Sequence, residues 1–300
     1  MIIEKKKLVD SLPPEWPEDL LPQIREALKN SGLKVVVLDD DPTGTQTVYD
    51  ITVLTRWDVQ SLSAALAEPH AIVFILTNSR RFPLAEAQAM TREIARNLLS
   101  ASQLTGRRFS VVSRSDSTLR GHFPGEVDAL VGELGGAVDG LLVIPFFEEG
   151  GRLTIEDIHY VAEGEMLVPA GETEYARDAA FGYRSSDLRQ WVSEKSQGRI
   201  KVQDVASIDL STIRRGGPGA VAQVLKQLHG GRVCVVNAAS YRDMEVFVAG
   251  LLEAETAGKY FIYRTAASFV RVRGGLGPRP LLNGDQLRIR SGQAGGLIVA

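Results

Sequence analysis

The sequence predicts an α/β protein: a doubly wound, mostly parallel, Rossmann-like sheet with an irregular insertion. Two observations lead there. Short apolar runs at residues 33–38, 51–54, 71–76, 109–112, 140–144, 233–236 and 261–263 do not alternate apolar with polar residues. Strands of that kind are buried on both faces, as in a parallel sheet. Between several of them lie stretches with apolar residues three and four apart, the spacing of one helix face. The composition agrees: 44% hydrophobic and 24% charged residues fit a folded globular chain and exclude collagen-like or wholly disordered ones.

Taken in order, residues 1–32 read as a leader and one helix. Pro13, Pro14 and Pro17 keep residues 11–19 extended or turned. Asp19 is a candidate N-cap for a helix to about Asn30, with Ile24, Ala27 and Leu28 on one face. Pro22 sits in its first turn, where a missing N–H costs little, and Ser31-Gly32 stops it. The run at 33–38 ends in Asp39-Asp40-Asp41. After 71–76 a helix is expected from about Leu84 to Ser102, carried by Leu84, Ala87, Met90, Ile94 and Leu98. The run at 109–112 opens into Ser113-Arg114-Ser115-Asp116-Ser117, and residues 125–134 and 221–228 read as helical. Residues 150–215 are less regular and more polar, so they are expected to form an insertion or a cap over one end of the sheet. Residues 33–270 then make one ligand-binding domain. From 271 the chain becomes glycine-rich, and Leu297-Ile298-Val299-Ala300 reads as the start of another buried strand.

Charge and cysteine content narrow the function classes. Lys plus Arg number 34 against 37 Asp plus Glu, a net charge of −3, which makes a poor bulk binder of nucleic acid or anionic membrane. The one cysteine, Cys234, has no partner for an internal disulfide, and no Cys/His cluster suits a structural zinc. No apolar run approaches the ~20 residues of a membrane span, and the Lys5-Lys6-Lys7 patch lacks the apolar stretch of a signal peptide. The expectation is a cytoplasmic protein acting on a small molecule or another protein.

In an open parallel sheet, ligands bind outside the carboxyl ends of the strands. Four stretches lie there. Asp39-Asp40-Asp41-Pro42-Thr43-Gly44 crowds three carboxylates that need a cation, an arginine or hydroxyl donors to offset their repulsion. A single helix cap needs only one of them. Thr77-Asn78-Ser79-Arg80-Arg81 offers guanidinium forks suited to a carboxylate or phosphate, although a surface salt bridge would look the same. Residues 113–122 mix Ser113, Arg114, Ser115, Asp116, Ser117, Thr118 and Arg120, a set that can hydrogen-bond a polyhydroxylated anion. Residues 145–152 place glycines beside acids and Arg152, as in a mobile loop at a site mouth, with His159 just beyond. A lone histidine is more often structural than catalytic.

Two readings of these residues compete. Asp39-x-Asp41-x-Thr43 after a strand resembles the first motif of haloacid-dehalogenase-type phosphatases, with Thr77 imitating the second. The later acid pair that would hold Mg²⁺ in such an enzyme is missing: the strand ends offer Ser113-Arg114 and Pro145-Phe146 instead. The other reading rests on several motifs in order. Asp40-Asp41-Pro42-Thr43-Gly44, Thr77-Asn78-Ser79-Arg80, Arg114 through Gly121 in an Arg-x-Asp-Ser-x-Leu-Arg-Gly pattern, and Gly151-Arg152-x-Thr154 with Ile158-His159-Tyr160-Val161 together resemble the four-carbon acid sugar kinase family. That family includes kinases for threonate, erythronate and 3-oxo-tetronate.

The resemblance implies a two-domain kinase whose N-terminal domain binds the sugar acid and whose C-terminal domain binds ATP, with Mg²⁺ arriving alongside. By carry-over, Asp40, Asp41, Arg80, Arg114, Ser115, Asp116 and Ser117 would line the substrate site, and Thr43, Arg120 and His159 complete it. Arg80 or Arg114 would hold the substrate carboxylate, and Asp116 or Asp41 would orient the attacking hydroxyl and accept its proton. Gly295-Gly296-Leu297-Ile298-Val299 matches the family's approach to the nucleotide domain, and no Gly-x4-Gly-Lys-[Ser/Thr] phosphate loop occurs. The expectation is a sugar-acid domain over 33–270, and over 271–300 a linker with the first strand of a nucleotide domain mostly absent from this chain. It also includes weak or no kinase activity for the chain alone, and a homodimer formed through an unpaired strand edge. A non-catalytic binding or effector role is the remaining alternative.

Overall fold

A computed structural model describes residues 2–136 and 138–280. In chain order the first half runs β1 (Ile3–Glu4), α1 (Lys5–Asp10), α2 (Leu21–Ser31), β2 (Lys34–Asp39), β3 (Thr52–Leu54), α3 (Val59–Ala67), β4 (Ile72–Leu76), α4 (Leu84–Thr105), β5 (Phe109–Arg114), α5 (Gly125–Leu134) and β6 (Gly140–Ile144). The second half continues with β7 (Arg152–Ile155), β8 (Ile158–Glu163), β9 (Met166–Pro169), α6 (Leu188–Lys195), β10 (Ala206–Ile208), α7 (Leu210–Gln227), β11 (Arg232–Val236), α8 (Tyr241–Thr256), β12 (Phe261–Thr265) and α9 (Ala267–Arg273).

Eight strands form one parallel sheet in the order β10-β11-β6-β12-β5-β2-β4-β3. Each predicted apolar run lies in one of them. The absence of alternation has the expected cause, because both faces are covered. Val35 and Val37 of β2 pack with Ile24 and Leu28 of α2 and with Val246 and Phe247 of α8 in one apolar layer. Val36 and Leu38 of the same strand pack with Leu62 of α3, Ile94 and Leu98 of α4 and Leu130 of α5 in the other.

The irregular region after residue 150 is an antiparallel sheet in the order β1-β9-β8-β7, followed by α6. Its hairpin closes on Glu156-Asp157, both at positive φ (52° and 64°), between the paired residues Ile155 and Ile158. Two left-handed residues make the turn whose twist matches flanking strands. Ile3, within the expected leader, pairs with Leu167 of β9.

Three local expectations are corrected. The N-cap of α2 is Leu20 rather than Asp19, whose carboxylate instead accepts from the Leu21 amide at 3.0 Å. The helix expected at 221–228 begins at Leu210 and is broken at Gly217, which takes φ 65° with its α-carbon against the Trp16 ring. The Gly-Gly-Pro run hides this helix because it reads as a turn. The loop at 145–152 is tied down: Phe147 and Arg152 exchange backbone hydrogen bonds at 2.8 and 3.0 Å, and the Tyr241 amide donates to Glu148 at 2.9 Å. The expected strand at 297–300 and most of the glycine-rich approach to it lie outside the described residues. No helix among the described residues is long and apolar enough to cross a membrane.

Candidate substrate site

The chain runs from β2 outward to β3 and β4 on one side, then returns to β5 on the other side of β2. A reversal of strand order opens a crevice at the carboxyl ends of those strands. Asp39-Asp40-Asp41 follow β2, Ser79-Arg80 follow β4, and residues 114–120 follow β5. A cavity of about 240 Å³ lies there, lined by Asp41, Thr43, Gln46, Arg80, Arg114, Asp116, Ser117, Thr118, Arg120, Pro145, Phe147, Arg152 and Ala266. That is smaller than the ~300–1,000 Å³ of drug-sized ligand sites and suits a small polar metabolite.

Sheet register sets the first charge pairs. Asp39 and Arg114 are partners across β2 and β5. The Arg114 guanidinium lies 3.3 Å from Asp39 and 3.6 Å from Asp40. Arg80 grips Asp40 with two nitrogens, at 2.6 and 2.8 Å, and reaches Asp41 with the third at 3.0 Å. The repulsion expected among three adjacent acids is thus offset by two guanidiniums. Burial pushes the Asp39 carboxyl up to about 7; Arg114 pulls against that rise and Asp40 adds to it. Burial also raises Asp41, but the Thr43 hydroxyl and amide and the Arg80 charge outweigh it and leave Asp41 below the ordinary carboxylate range. Thr43 donates to Asp41 with its amide at 2.8 Å and its hydroxyl at 2.5 Å. Gly44 completes the turn with its α-carbon against the Asp39 carboxylate, where any Cβ would overlap the oxygens.

Across the cavity, Asp116 is paired with Arg264 of β12, both fully buried. Its other oxygen accepts from the Leu119 amide at 3.1 Å. Arg264 also donates to the Arg120 carbonyl at 3.0 Å and lies 5.2 Å from the Phe123 ring and 4.8 Å from the Trp191 ring. Residues 117–120 form a tight turn in which Thr118 and Leu119 have φ of 55° and 64°. A β-branched residue with positive φ is strained, and such strain gathers at functional sites. The Tyr183 hydroxyl holds that turn by donating to the Thr118 carbonyl at 2.9 Å. Arg120 pairs with Asp178 at 3.2 Å.

Of the residues expected from sequence, Asp41, Thr43, Arg80, Arg114, Asp116, Ser117 and Arg120 line the cavity. Asp40 lies beneath it, held by Arg80, and Ser115 turns its hydroxyl to Ser113 at 2.9 Å. His159 is not among the residues that line the cavity. It is fully buried on β8, with Nδ1 3.0 Å from the Thr154 hydroxyl, and burial lowers it to about 4, so the ring is neutral near pH 7. Asp39, the nucleophile of the phosphatase reading, is 1% exposed and covered by Gly44 rather than open to a substrate. Sequence reasoning missed Arg264, Tyr175 and Tyr183. Arg264 alone left a signal, a charge closing an apolar strand. Among the described residues, no group of three or more His, Cys, Asp or Glu side chains could hold a metal ion. The site acids face guanidiniums and backbone amides instead, so no step below is routed through Mg²⁺.

Comparison with known proteins agrees with this architecture. Residues 35–273 match the family described as the sugar-binding N-terminal domain. A D-erythronate kinase of Heliobacterium modesticaldum is 26% identical over 227 residues, covering 72% of this chain and 47% of its own length. A DUF1537 protein of Bordetella bronchiseptica, solved with bound citrate as a domain-swapped dimer, superposes with a TM-score of 0.60 at 20% identity over 80% of this chain and 55% of its own. A Haemophilus influenzae DUF1537 protein gives 0.58 at 18% identity over 80% of this chain and 55% of its own. The chain therefore spans about half the length of the relatives it matches. With the matched motifs assembled at one crevice of an eight-stranded parallel sheet, this chain belongs to the four-carbon acid sugar kinase family, as its sugar-binding N-terminal domain.

Proposed function

We propose that the chain binds a four-carbon sugar acid of the erythronate, threonate or 3-oxo-tetronate type and presents one hydroxyl for phosphorylation, in the cytoplasm and as a homodimer. The observation that carries this reading is the cavity at the switch point, where Asp41 is paired with Arg80 and Asp116 with Arg264. Carboxylates accept from hydroxyls, and guanidiniums hold acids and phosphates. The matched D-erythronate kinase supports the substrate class, and the citrate bound by the Bordetella relative, a hydroxy acid, is compatible with it. That relative's dimeric state supports the homodimer.

Phosphoryl transfer depends on positioning and charge neutralisation more than on covalent help from the protein. Asp41 or Asp116 orients the reacting hydroxyl and takes its proton as the oxygen bonds to phosphorus. The phosphoryl group would come from ATP, whose γ-phosphorus parts from the β–γ bridging oxygen as ADP leaves. Arg80 and Arg114 fix the acids and leave the cavity little reorganisation to undergo when substrate enters.

Thermal unfolding of the 300-residue chain with D-erythronate, threonate and 3-oxo-tetronate tests the reading. A ligand at a hundred times its Kd stabilises by about 2.7 kcal/mol, which for 300 residues raises Tm by about 4 °C. That shift is expected for at least one acid and is expected to vanish in Asp116→Ala. No shift with any of them would overturn the reading.

A further inference from the structure

We propose that Arg152, the first residue of β7, anchors the carboxylate end of the sugar acid and so makes the cavity select an acid over the corresponding polyol. This deepens the proposed function and rests on it. Five arginines surround the cavity. Arg80 is spent on Asp40 and Asp41, Arg114 on Asp39 and Asp40, Arg120 on Asp178, and Arg264 on Asp116. Arg152 alone has no carboxylate partner among the described residues, and it lines the cavity. Of the five it is therefore the one guanidinium that no carboxylate of the described residues holds. Arg80 and Arg114, the anchors expected from sequence, already hold carboxylates of the protein itself.

Arg152 is also held in place. Its Nε donates to the Thr118 hydroxyl at 3.1 Å, and Nη1 donates to the Gly150 carbonyl. Its guanidinium lies 5.0 Å from the Tyr175 ring, whose neighbourhood it shares with Arg120 at 4.9 Å. A guanidinium has five N–H donors in a fixed fork. Nη2 makes no hydrogen bond to another described residue, which leaves donors for an incoming anion. The strained turn at Thr118 acquires a purpose here, since it supplies the hydroxyl that orients Nε. A fork fixed at Nε and stacked on an aromatic ring binds a carboxylate without first losing rotamer freedom. Hydroxyl-accepting Asp41 and Asp116 and acid-accepting Arg152 then divide the two ends of a hydroxy acid between them.

The test is calorimetric titration of the chain, without nucleotide, with D-erythronate, with erythritol (the same carbon chain lacking the carboxylate) and with inorganic phosphate. Arg152→Ala is expected to weaken D-erythronate by about 10- to 100-fold, the range for a hydrogen bond to a charged group, and to leave erythritol within twofold. Arg152→Lys should recover part of the loss, since it restores charge without the fork. If the alanine variant does not fold, Arg152→Lys carries the test: a smaller acid-to-polyol ratio supports the anchor, and an unchanged ratio overturns it. Unchanged D-erythronate binding in Arg152→Ala overturns the anchor while leaving the sugar-acid reading intact. So does a loss confined to inorganic phosphate, which would assign Arg152 to the transferred group. Failure of the unsubstituted chain to bind D-erythronate, threonate or 3-oxo-tetronate would remove the sugar-acid reading and this inference with it.

Discussion

Arg264→Met is expected to be among the most damaging single substitutions outside the apolar core. Arg264 and Asp116 are both fully buried. Without the guanidinium, Asp116 keeps one donor among the described residues, the Leu119 amide at 3.1 Å, and the stacked Phe123 and Trp191 rings lose the cation beside them. Removing one partner of a buried ion pair costs about 3–5 kcal/mol, because the other charge is left uncompensated. At about 2.1 cal/mol/K of unfolding entropy per residue, a 300-residue chain loses about 5–8 °C in Tm. The double variant Arg264→Met/Asp116→Leu should recover at least half of that loss, since replacing both charges with apolar groups is often neutral or stabilising. Circular-dichroism melts of the parent, both single variants and the double variant make the cycle. A fall below about 2 °C in Arg264→Met, or a double variant no more stable than Arg264→Met, would refute the reasoning.

The pH dependence of stability carries a second expectation. Asp39 titrates at about 7 in the folded chain against an ordinary value of 3.8. The folded state therefore prefers the neutral acid, and this stabilisation is complete below the unfolded pKa and lost as pH rises through 7. At about 1.4 kcal/mol per pH unit, Asp39→Asn should gain on the order of 4 kcal/mol over the parent between pH 4 and pH 8. Denaturant titrations at both pH values check this, and parallel pH profiles would falsify it. Glu126, pushed up to about 7 by burial against the pull of its Ser79 hydrogen bond, keeps some of the same slope in the variant. In the crowded turn after β2, Gly44→Ala should cost about 1–3 kcal/mol through overpacking against Asp39, and it should also weaken D-erythronate binding. Adding Asp39→Ala should recover part of that cost, and strict additivity in urea unfolding would count against the contact.

The fold class was legible in the sequence because a parallel sheet covered on both faces writes itself as continuous apolar runs, and each predicted run lies in a strand. The strand missed in the main sheet, β10, is three residues long, Ala206-Ser207-Ile208, too short and polar to stand out. Helix α7 escaped for a related reason, since Gly216-Gly217-Pro218 signals a break whether or not packing against Trp16 carries the helix past it. The candidate site was legible where its residues follow strands in motif order: Asp40 and Asp41, Arg80, and Arg114 through Arg120. Local sequence named the arginines and aspartates but could not say which pair with which. That was decided by register and topology, which set Arg114 beside Asp39 across β2 and β5 and brought Arg264 to Asp116 from 148 residues away. Only the tertiary structure could leave Arg152 as the site arginine without an acid among the described residues, because being unpaired is a property of the whole surrounding constellation and of no single stretch of chain.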